Sequence, residues 1–196
     1  MRIETVCAGR PNSLRSALII VDVQKAIDDP RWGDDRNNPD AEKNIARLLA
    51  RWREEGWPVF HIRHVSRDPQ STYRDSPFKD EVKPLAGERV IEKSTNSAFI
   101  GTSLENELRA AGVDSVVITG VITNNSVEAT ARMAGNLGFH TIVVSDATAT
   151  FGRRDYDGVW RTASEVHAMS LANLDGEYGE IVDTETLVSS QNSSRA

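Results

Sequence analysis

Three side chains with reactive chemistry stand at the ends of short apolar runs. Asp22 and Lys93 end strand-like segments, and Ser126 opens a segment with helical spacing. A carboxylate can accept or donate a proton, and an ammonium can stabilise developing negative charge. A serine hydroxyl can act as a nucleophile when a general base accepts its proton. We therefore consider the acid, the cation and the hydroxyl at these positions as candidate parts of one site.

Ser126 lies at the predicted start of a helix, where negative charge is stabilised. The β-branched run Val116–Thr119 predicts a buried strand, and Gly120 interrupts it. From Ser126 the apolar residues recur at helical intervals until Gly138, which is typical of a helix end. The first backbone N–H groups of a helix have no helical acceptor and carry partial positive charge. A group that must carry negative charge during a reaction is well placed there.

Alternating strands and helices form the scaffold that must position these side chains. The residue patterns predict strands over 17–22, 57–64, 89–93, 116–119, 140–146 and 180–183, and helices over 38–56, 102–111, 126–138, 157–173 and 185–188. Two details sharpen the helix predictions. Thr102 and Glu105 match a capping box. The helix over 157–173 is expected to turn the following side chains inward: Trp160, Ala163, Val166 and Leu171.

This alternation predicts an α/β fold: a doubly wound, mainly parallel, six-stranded Rossmann-like sheet with helices on both faces. In such sheets ligands bind beyond the carboxyl ends of the strands, where the strand order reverses. Asp22, Lys93 and Ser126 all stand at such ends. We expect one domain over 1–196, with an N-terminal extension over 1–16 and a flexible tail over 189–196.

The composition of the chain limits the kinds of binding partner and the cellular setting that are expected. The formal net charge of −6 argues against nucleic acid or an anionic membrane as the main partner. Cys7 is the only cysteine, so an internal disulfide is ruled out and a reducing, cytoplasmic setting is expected. No apolar run approaches the roughly 20 residues of a membrane span. Arg2, Glu4 and Arg10 interrupt any signal-peptide pattern.

The chain resembles the isochorismatase-like hydrolases, a superfamily that includes nicotinamidases, small-molecule amidases and isochorismatases. The resemblance spans almost the whole chain, with the motifs in the expected order and spacing. Any one motif alone is weak, but the set is specific for the family. The matching segments are Leu18-Ile-Ile-Val-Asp-Val-Gln24, Ile91-Glu-Lys93 with Ser97-Ala-Phe99, Gly120-Val-Ile-Thr-Asn-Asn-Ser-Val-Glu-Ala-Thr-Ala-Arg132 and Val144-Ser-Asp-Ala147.

The resemblance implies roles for the three side chains. Hydrolytic members use an Asp, a Lys and a nucleophilic Cys, which fall on Asp22, Lys93 and Ser126. Serine in place of cysteine is the main departure from the family pattern. The family also often has a cis peptide after the turn glycine, here Val121–Ile122. The N–H groups of Ile122 and Ser126 are implied as an oxyanion hole.

The serine leaves three interpretations open. Ser126 is a working nucleophile, or it replaces a cysteine in an inactivated or altered chain, or the reaction needs no nucleophile at this position. A serine hydroxyl ionises far less readily than a thiol, so the first interpretation requires a general base such as Asp22. The third has a family precedent, because isochorismatases lack the cysteine and cleave a vinyl ether with the acid as proton donor.

We therefore predict hydrolysis of a small molecule, with amide-type C–N cleavage as the leading function. Vinyl-ether hydrolysis with Asp22 as general acid is the alternative enzyme, and a catalytically silent relative that binds a ligand or acts in an oligomer is the non-enzymatic alternative. The long connection 65–88 and the loop 24–37 would shape the substrate pocket. Its candidate lining residues are Gln24, Trp32, Tyr73, Phe99 and Asn125.

Neither a metal nor a cofactor is expected. His61 and His64 are three apart on a predicted strand, so their side chains point to opposite faces and cannot readily share an ion. The nicotinamidase metal motif, Asp-x-His after the second strand, has no match. His167 is expected to be packed in a helix rather than catalytic. By analogy with the family, we expect a homo-oligomer, either a dimer or a tetramer.

Overall fold

A six-stranded sheet forms the centre of the protein, and the computed structural model describes residues 16–189 of it. Ser16 belongs to the first strand and Ser189 to the last helix, so neither lies in an extension or a tail. The rest of the predicted extension and tail, 1–15 and 190–196, lies outside the described residues. The strands are β1 Ser16–Val21, β2 Val59–His64, β3 Arg89–Lys93, β4 Ser115–Val121, β5 His140–Ala149, β6 Arg153–Arg154, β7 Trp160–Arg161 and β8 Glu180–Val182.

The strand order of the large sheet is β3-β2-β1-β4-β5-β8, and every neighbouring pair is parallel. The chain runs outward from β1 to β3, returns to β4 and then runs outward in the other direction. The order therefore reverses between β1 and β4, and a crevice is expected beyond their carboxyl ends. The predicted doubly wound parallel fold is confirmed.

Helices cover both faces of the sheet because β1 and β4 are apolar on both sides. On one face, Leu18 and Ile20 pack against α1 and α5. On the other, Ile19 and Val21 pack against α2, α3 and the end of α4. The helices are α1 Ala41–Glu55, α2 Leu104–Ala110, α3 Glu128–Asn136, α4 Ala163–Ala172 and α5 Thr184–Ser189.

The predicted start of the fourth helix was wrong. Residues 153–161 form the antiparallel hairpin β6–β7, and α4 begins only at Ala163. Asp155 stabilises the turn because its Oδ1 accepts from the N–H groups of Asp157 and Val159. Trp160 therefore lies in the hairpin and is 51% exposed, where the sequence pattern had placed it facing inward.

Two other helix starts differ from the prediction. The capping box expected at Thr102 and Glu105 does not form, because α2 begins at Leu104 and the Thr102 hydroxyl donates to the carbonyl of Ala98. A capping box forms instead at Thr162 and Glu165, before α4. The helix predicted from Ser126 begins as a single π-helical turn, Thr123–Val127, and continues as α3. Ser126 thus lies in an irregular turn that α-helical spacing does not reveal.

Candidate active site

Asp22 follows β1 directly and has a backbone conformation that few residues adopt. Its φ is 56°, in the left-handed region that non-glycine residues rarely enter. Such conformations cost of order 1–3 kcal/mol and cluster at functional sites. Gly120 of the neighbouring β4 permits the close approach here, because a Cβ on it would lie 2.1 Å from the carbonyl oxygen of Val21. The geometry fixes the Asp22 carboxyl group at the reversal point of the sheet.

Lys93 lies between the other two predicted residues. Its Nζ donates to Asp22 Oδ2 at 2.7 Å and to Ser126 Oγ at 3.3 Å. The ammonium also donates to the carbonyl of Thr95 at 3.0 Å and lies 3.4 Å from His64 Nδ1. Asp22, Lys93 and Ser126, which are up to 104 positions apart in the chain, therefore meet in one cluster (126 − 22 = 104).

The cluster is almost closed to solvent. Asp22 is 3% exposed, Lys93 2% and Ser126 7%. Asp22 Oδ1 is buried and has no hydrogen-bond partner among residues 16–189. A buried carboxylate oxygen without a partner is costly, and native structures contain few of them. Oδ1 of Asp22 is therefore the oxygen of the cluster that is free to accept a proton.

Burial shifts the pKa of the acid and the pKa of the base in opposite directions, and the neighbouring charges oppose both shifts. Burial raises the pKa of Asp22, and the charge of Lys93 and the Ser126 hydroxyl oppose this rise. Burial lowers the pKa of Lys93, opposed by Asp22. Burial and the Lys93 charge both lower the pKa of His64, which favours its neutral form. The two pKa values of the ion pair therefore move towards each other, and perturbed pKa values of this kind are typical of functional sites.

The turn that carries Ser126 is held by contacts around it. The Val121–Ile122 peptide is cis, as the family resemblance implied. The carbonyl of Ile122 accepts from the N–H groups of Asn125 at 3.0 Å and Val127 at 3.3 Å. Thr123 Oγ1 lies 3.0 Å from His167 Nδ1, and both side chains are buried. The Ser126 hydroxyl is thereby presented beside Lys93 on a fixed segment.

Three of the five predicted pocket residues, Gln24, Phe99 and Asn125, have different surroundings. Gln24 is fully buried, and its amide bonds the backbone N–H and C=O of His64 and the carbonyl of Ser76. Gln24 therefore ties β1 to β2. Phe99 stacks on Phe139 in the core. Asn125 is half-buried in the turn before Ser126.

Trp32 belongs to an aromatic group that extends from the cluster. It stacks on Phe151 with ring centroids 5.6 Å apart and meets Tyr73 edge-on at 6.3 Å. Tyr73 in turn meets His64 at 5.1 Å. Burial and the nearby Asp22 carboxylate strongly raise the pKa of Tyr73, which keeps its hydroxyl protonated. The group forms an apolar wall from Lys93 outward.

Sequence reasoning considered His64 only as a metal ligand and missed its place beside Lys93. Part of this signal was in the sequence, because both residues were predicted to end strands, but only the pairing of those strands in the sheet places them side by side. Among residues 16–189, no three His, Cys, Asp or Glu side chains gather so that they could hold a metal ion. No helix in the same range has the length and apolar character needed to cross a membrane.

Two large surface cavities among the described residues lie away from the cluster. One, of about 740 Å³, lies at the amino ends of β2 and β3 and includes Arg53 and Glu88. The other, of about 750 Å³, lies between α4 and the hairpin β6–β7 and includes Met169 and Arg161. Neither contains Asp22, Lys93 or Ser126. We identify the candidate site by its chemistry, because buried ionisable groups with shifted pKa values beside a charged partner are typical of functional sites.

Comparison with known proteins finds similarity, over most of the chain, to the family that the sequence motifs indicated. The family model described as the isochorismatase domain matches residues 16–186. YrdC, an uncharacterised isochorismatase family protein of Bacillus subtilis (strain 168), is 47% identical over 178 residues, or 89% of this chain and 95% of that protein. The crystal structure of an isochorismatase-family protein from Chromobacterium violaceum ATCC 12472 has a TM-score of 0.89 and 52% identity, and covers 92% of this chain and 95% of that one. Maleamate amidohydrolase of Pseudomonas putida is 39% identical over 105 residues, or 54% of this chain and 44% of that enzyme.

Proposed function

Because this chain belongs to the isochorismatase family of hydrolases, we propose that it cleaves an amide-type C–N bond of a small molecule at Asp22, Lys93 and Ser126. One observation carries this proposal. Lys93 Nζ binds both Asp22 Oδ2 and Ser126 Oγ, while Asp22 Oδ1 has no hydrogen-bond partner among residues 16–189. A base, a cation that orients it and a nucleophile are the parts that covalent hydrolysis needs.

In the first step, Ser126 Oγ attacks the carbonyl carbon of the amide. Its proton passes to Asp22 Oδ1, while Lys93 holds Oδ2 and neutralises the charge. Negative charge develops on the carbonyl oxygen, and the N–H groups of Ile122 and Ser126 would stabilise it. The Ser126 turn suits this role because helical first turns present N–H groups to anions.

In the second step, protonated Asp22 gives its proton to the leaving nitrogen, the C–N bond breaks and an ester on Ser126 remains. Water then attacks the ester carbon, and Asp22 accepts the proton of that water. The carboxylic acid leaves as the proton returns to Ser126 Oγ. The aromatic wall of Trp32, Tyr73 and Phe151 would exclude water around the acyl group and strengthen the electrostatic interactions of the site.

The relatives support amide chemistry. Maleamate amidohydrolase of Pseudomonas putida is, by its name, an enzyme that hydrolyses an amide. The matched region is about half of this chain, so the support concerns the type of reaction. We leave the substrate at the level of a small molecule with an amide-type bond.

Vinyl-ether hydrolysis is a second candidate, and one observation favours it. Burial raises the pKa of Asp22, which is what a general acid requires. In this reaction Asp22 would protonate the vinyl carbon, and water would attack the resulting cation without participation of the Ser126 hydroxyl. The adjacent Lys93 ammonium opposes protonation of Asp22 and so counts against this candidate.

The wild type and two variants at one position separate these candidates. We would measure hydrolysis of an amide panel and of isochorismate by the wild type, Ser126→Ala and Ser126→Cys. Nucleophilic catalysis predicts that Ser126→Ala lowers kcat/KM on amides by on the order of 10³-fold or more. Ser115→Ala is the matched control and is expected to keep wild-type activity, because Ser115 is a buried serine at the start of β4, the strand that leads into the Ser126 turn.

Each other outcome has a defined meaning. Equal activity of Ser126→Ala and the wild type on an amide would exclude Ser126 as the nucleophile. Activity of Ser126→Cys alone would identify a native site disabled by the serine. Turnover of isochorismate by all three would support the vinyl-ether candidate. If no substrate is turned over but a ligand raises the melting temperature, the protein is a silent binding relative.

A further inference from the structure

The helix α4 turns polar residues inward, which is unusual for a helix that packs against a sheet. Its buried positions are Ala163, His167 and Ser170, while Met169 is 65% exposed. An ordinary surface helix buries its apolar residues and exposes its polar ones. Burial of a polar group costs free energy unless the group is hydrogen-bonded, so the partners of His167 and Ser170 are informative.

Both of these polar residues bond the segment that carries Ser126. His167 Nδ1 lies 3.0 Å from Oγ1 of Thr123, the first residue of the π-helical turn. Ser170 Oγ donates to Oε2 of Glu128 at 2.6 Å, and Glu128 directly follows that turn. His167 and Ser170 are three positions apart, so they lie on the same face of the helix. The helix α4 therefore holds the Ser126 turn at both of its ends.

The surroundings of His167 determine the direction of its hydrogen bond to Thr123. Burial lowers the pKa of His167, which favours the neutral ring, and a hydrogen bond to the backbone of Ser145 opposes this shift. A hydrogen bond that favours the protonated form is one in which the ring donates. The neutral ring has a single N–H, so Nδ1 is left to accept from the Thr123 hydroxyl. The ring of His167 thus connects β5 to the Ser126 turn.

The two bonds differ in how much of the positioning depends on them. Glu128 keeps another partner when Ser170 is changed, because Arg132 of its own helix donates to Oε1 at 2.7 and 3.0 Å. Thr123 Oγ1 has no second hydrogen-bond partner within the range 16–189. We therefore expect the bond between His167 and Thr123 to contribute more than the bond of Ser170.

We propose that His167 and Ser170 are positioning residues that hold the Ser126 turn against Lys93, a role that rests on the proposed function. We call this pair the α4 clamp. Lys93 Nζ lies 3.3 Å from Ser126 Oγ, at the long end of hydrogen-bond distances, so a small displacement of the turn would break the contact. Such a displacement would also move the N–H group of Ser126 away from the charge that develops in the reaction.

A thiol placed in the turn reports the position of the turn without any substrate. The reference protein combines Ser126→Cys with Cys7→Ala, which removes the only native cysteine, and its alkylation by iodoacetamide is measured as a function of pH. The thiolate is the reacting form, and turn N–H groups and an adjacent ammonium lower the pKa of a thiol. Thr123→Val removes the hydroxyl that binds His167, so alkylation at neutral pH should slow by about tenfold. At high pH, where every thiol is ionised, the rates of the two proteins should converge.

Two further variants test whether this effect passes through α4. His167→Leu removes the acceptor of the same hydrogen bond and should slow alkylation as much as Thr123→Val. The two changes combined should give no further loss, because they break one interaction. Ser170→Ala should slow alkylation by only about twofold to threefold, because Glu128 retains its bonds to Arg132.

Two threonine variants serve as controls. Thr123→Ser keeps the hydroxyl and should restore the reference profile. Thr141→Val should also leave the profile unchanged, because Thr141 is a buried threonine of β5 whose hydroxyl donates to the carbonyl of Phe139 at 3.1 Å, away from the turn. If Thr123→Val does not fold, His167→Leu and Ser170→Ala make the same test from the side of α4.

The outcomes are distinct. A profile that Thr123→Val and His167→Leu both leave unchanged would overturn the proposal, and so would an equal change in Thr141→Val. An ordinary thiol pKa in the reference protein would also overturn it, because the turn would then hold no position that stabilises negative charge. In the chain with its native serine, Thr123→Val should lower kcat on an amide by about tenfold and leave KM within about twofold. A shifted alkylation profile in a protein that hydrolyses no amide would support the α4 clamp and count against the hydrolase proposal alone.

Discussion

Two clusters of charge, one half-buried around Glu88 and one buried around Asp22, lie near opposite ends of β3 and differ in how their groups are satisfied. Glu88 precedes the strand and Lys93 ends it. At the first cluster, Glu88 accepts from Arg53 at 2.6 and 2.9 Å, from the N–H of Leu85 at 2.8 Å, and lies 2.8 Å from His61 Nε2. Burial alone would raise the pKa of Glu88, but these hydrogen bonds outweigh it and lower the pKa to about 2.

In the second cluster, around Asp22 and Lys93, the carboxyl group is only partly satisfied by hydrogen bonds. Asp22 Oδ1 has no hydrogen-bond partner among residues 16–189, and the pKa of Asp22 is raised rather than lowered. His61 Nδ1 also lacks a partner at the first cluster, but burial lowers the pKa of His61 and keeps the ring neutral. A buried carboxylate oxygen without a hydrogen-bond partner costs more free energy than a buried nitrogen of a neutral ring without one. Burial of charge is therefore a poor sign of function by itself, whereas the unpaired Oδ1 of Asp22 is informative because Lys93 and Ser126 lie beside it.

The largest expected difference between the clusters is in activity. Asp22→Asn removes the proton acceptor with little change in shape, so kcat/KM should fall by about 10²–10⁴-fold, the range of a general base. Glu88→Gln is the matched carboxyl-to-amide control and should keep wild-type kcat/KM within about twofold. Steady-state kinetics on the same amide checks both variants. Equal losses in the two would remove the distinction between the clusters.

The next difference is in stability. Glu88→Gln should lower the free energy of unfolding by about 1–3 kcal/mol at neutral pH, because charged hydrogen bonds with Arg53 and His61 are weakened. The pKa of Glu88 is lower in the folded chain, so its stabilisation is complete above its ordinary value of 4.5 and is lost as the pH falls towards about 2.

Urea unfolding of the wild type and Glu88→Gln between pH 2 and pH 7 measures this term. The two stability curves should converge as the pH falls through that window. Parallel curves would show that the ionisation of Glu88 contributes nothing to the folded state.

The smallest difference concerns the pH dependence of the rate. As a base, Asp22 must be deprotonated, so the rate on amides should rise with pH through a value above the usual carboxyl range. Lys93 must stay protonated, so the rate should fall again below the usual lysine range. Each unit of pKa shift corresponds to about 1.4 kcal/mol.

A pH–rate profile of kcat/KM on an amide measures both the rise and the fall of the rate. A rate that only falls as the pH rises through the Asp22 value would instead identify Asp22 as a general acid, as vinyl-ether hydrolysis requires. Glu88→Gln should leave the profile unchanged, because Glu88 lies outside the candidate site.

Local patterns predicted most of the scaffold correctly. The β3 prediction, 89–93, matches its observed bounds, and Gly56 ends α1 in the left-handed conformation expected of a helix stop. The failure over 157–162 has a physical cause. Helical spacing of Trp160 and Val166 is present, but the bonds of Asp155 to its own turn favour a hairpin there.

The sequence by itself predicted the strands, the existence of the helices but not all of their starts, the family, and the three residues of the candidate site. It could do so because parallel strands bring their carboxyl ends to one edge, so residues that end different strands become neighbours. This is how Asp22, Lys93 and Ser126 could be grouped before any coordinates were known.

Only the tertiary structure decided how these residues meet. The place of Lys93 between Asp22 and Ser126, the open Oδ1 and the contact of His64 depend on strand register and side-chain packing. Periodicity along a chain is a local property, whereas register and the direction in which a face points depend on contacts between distant segments.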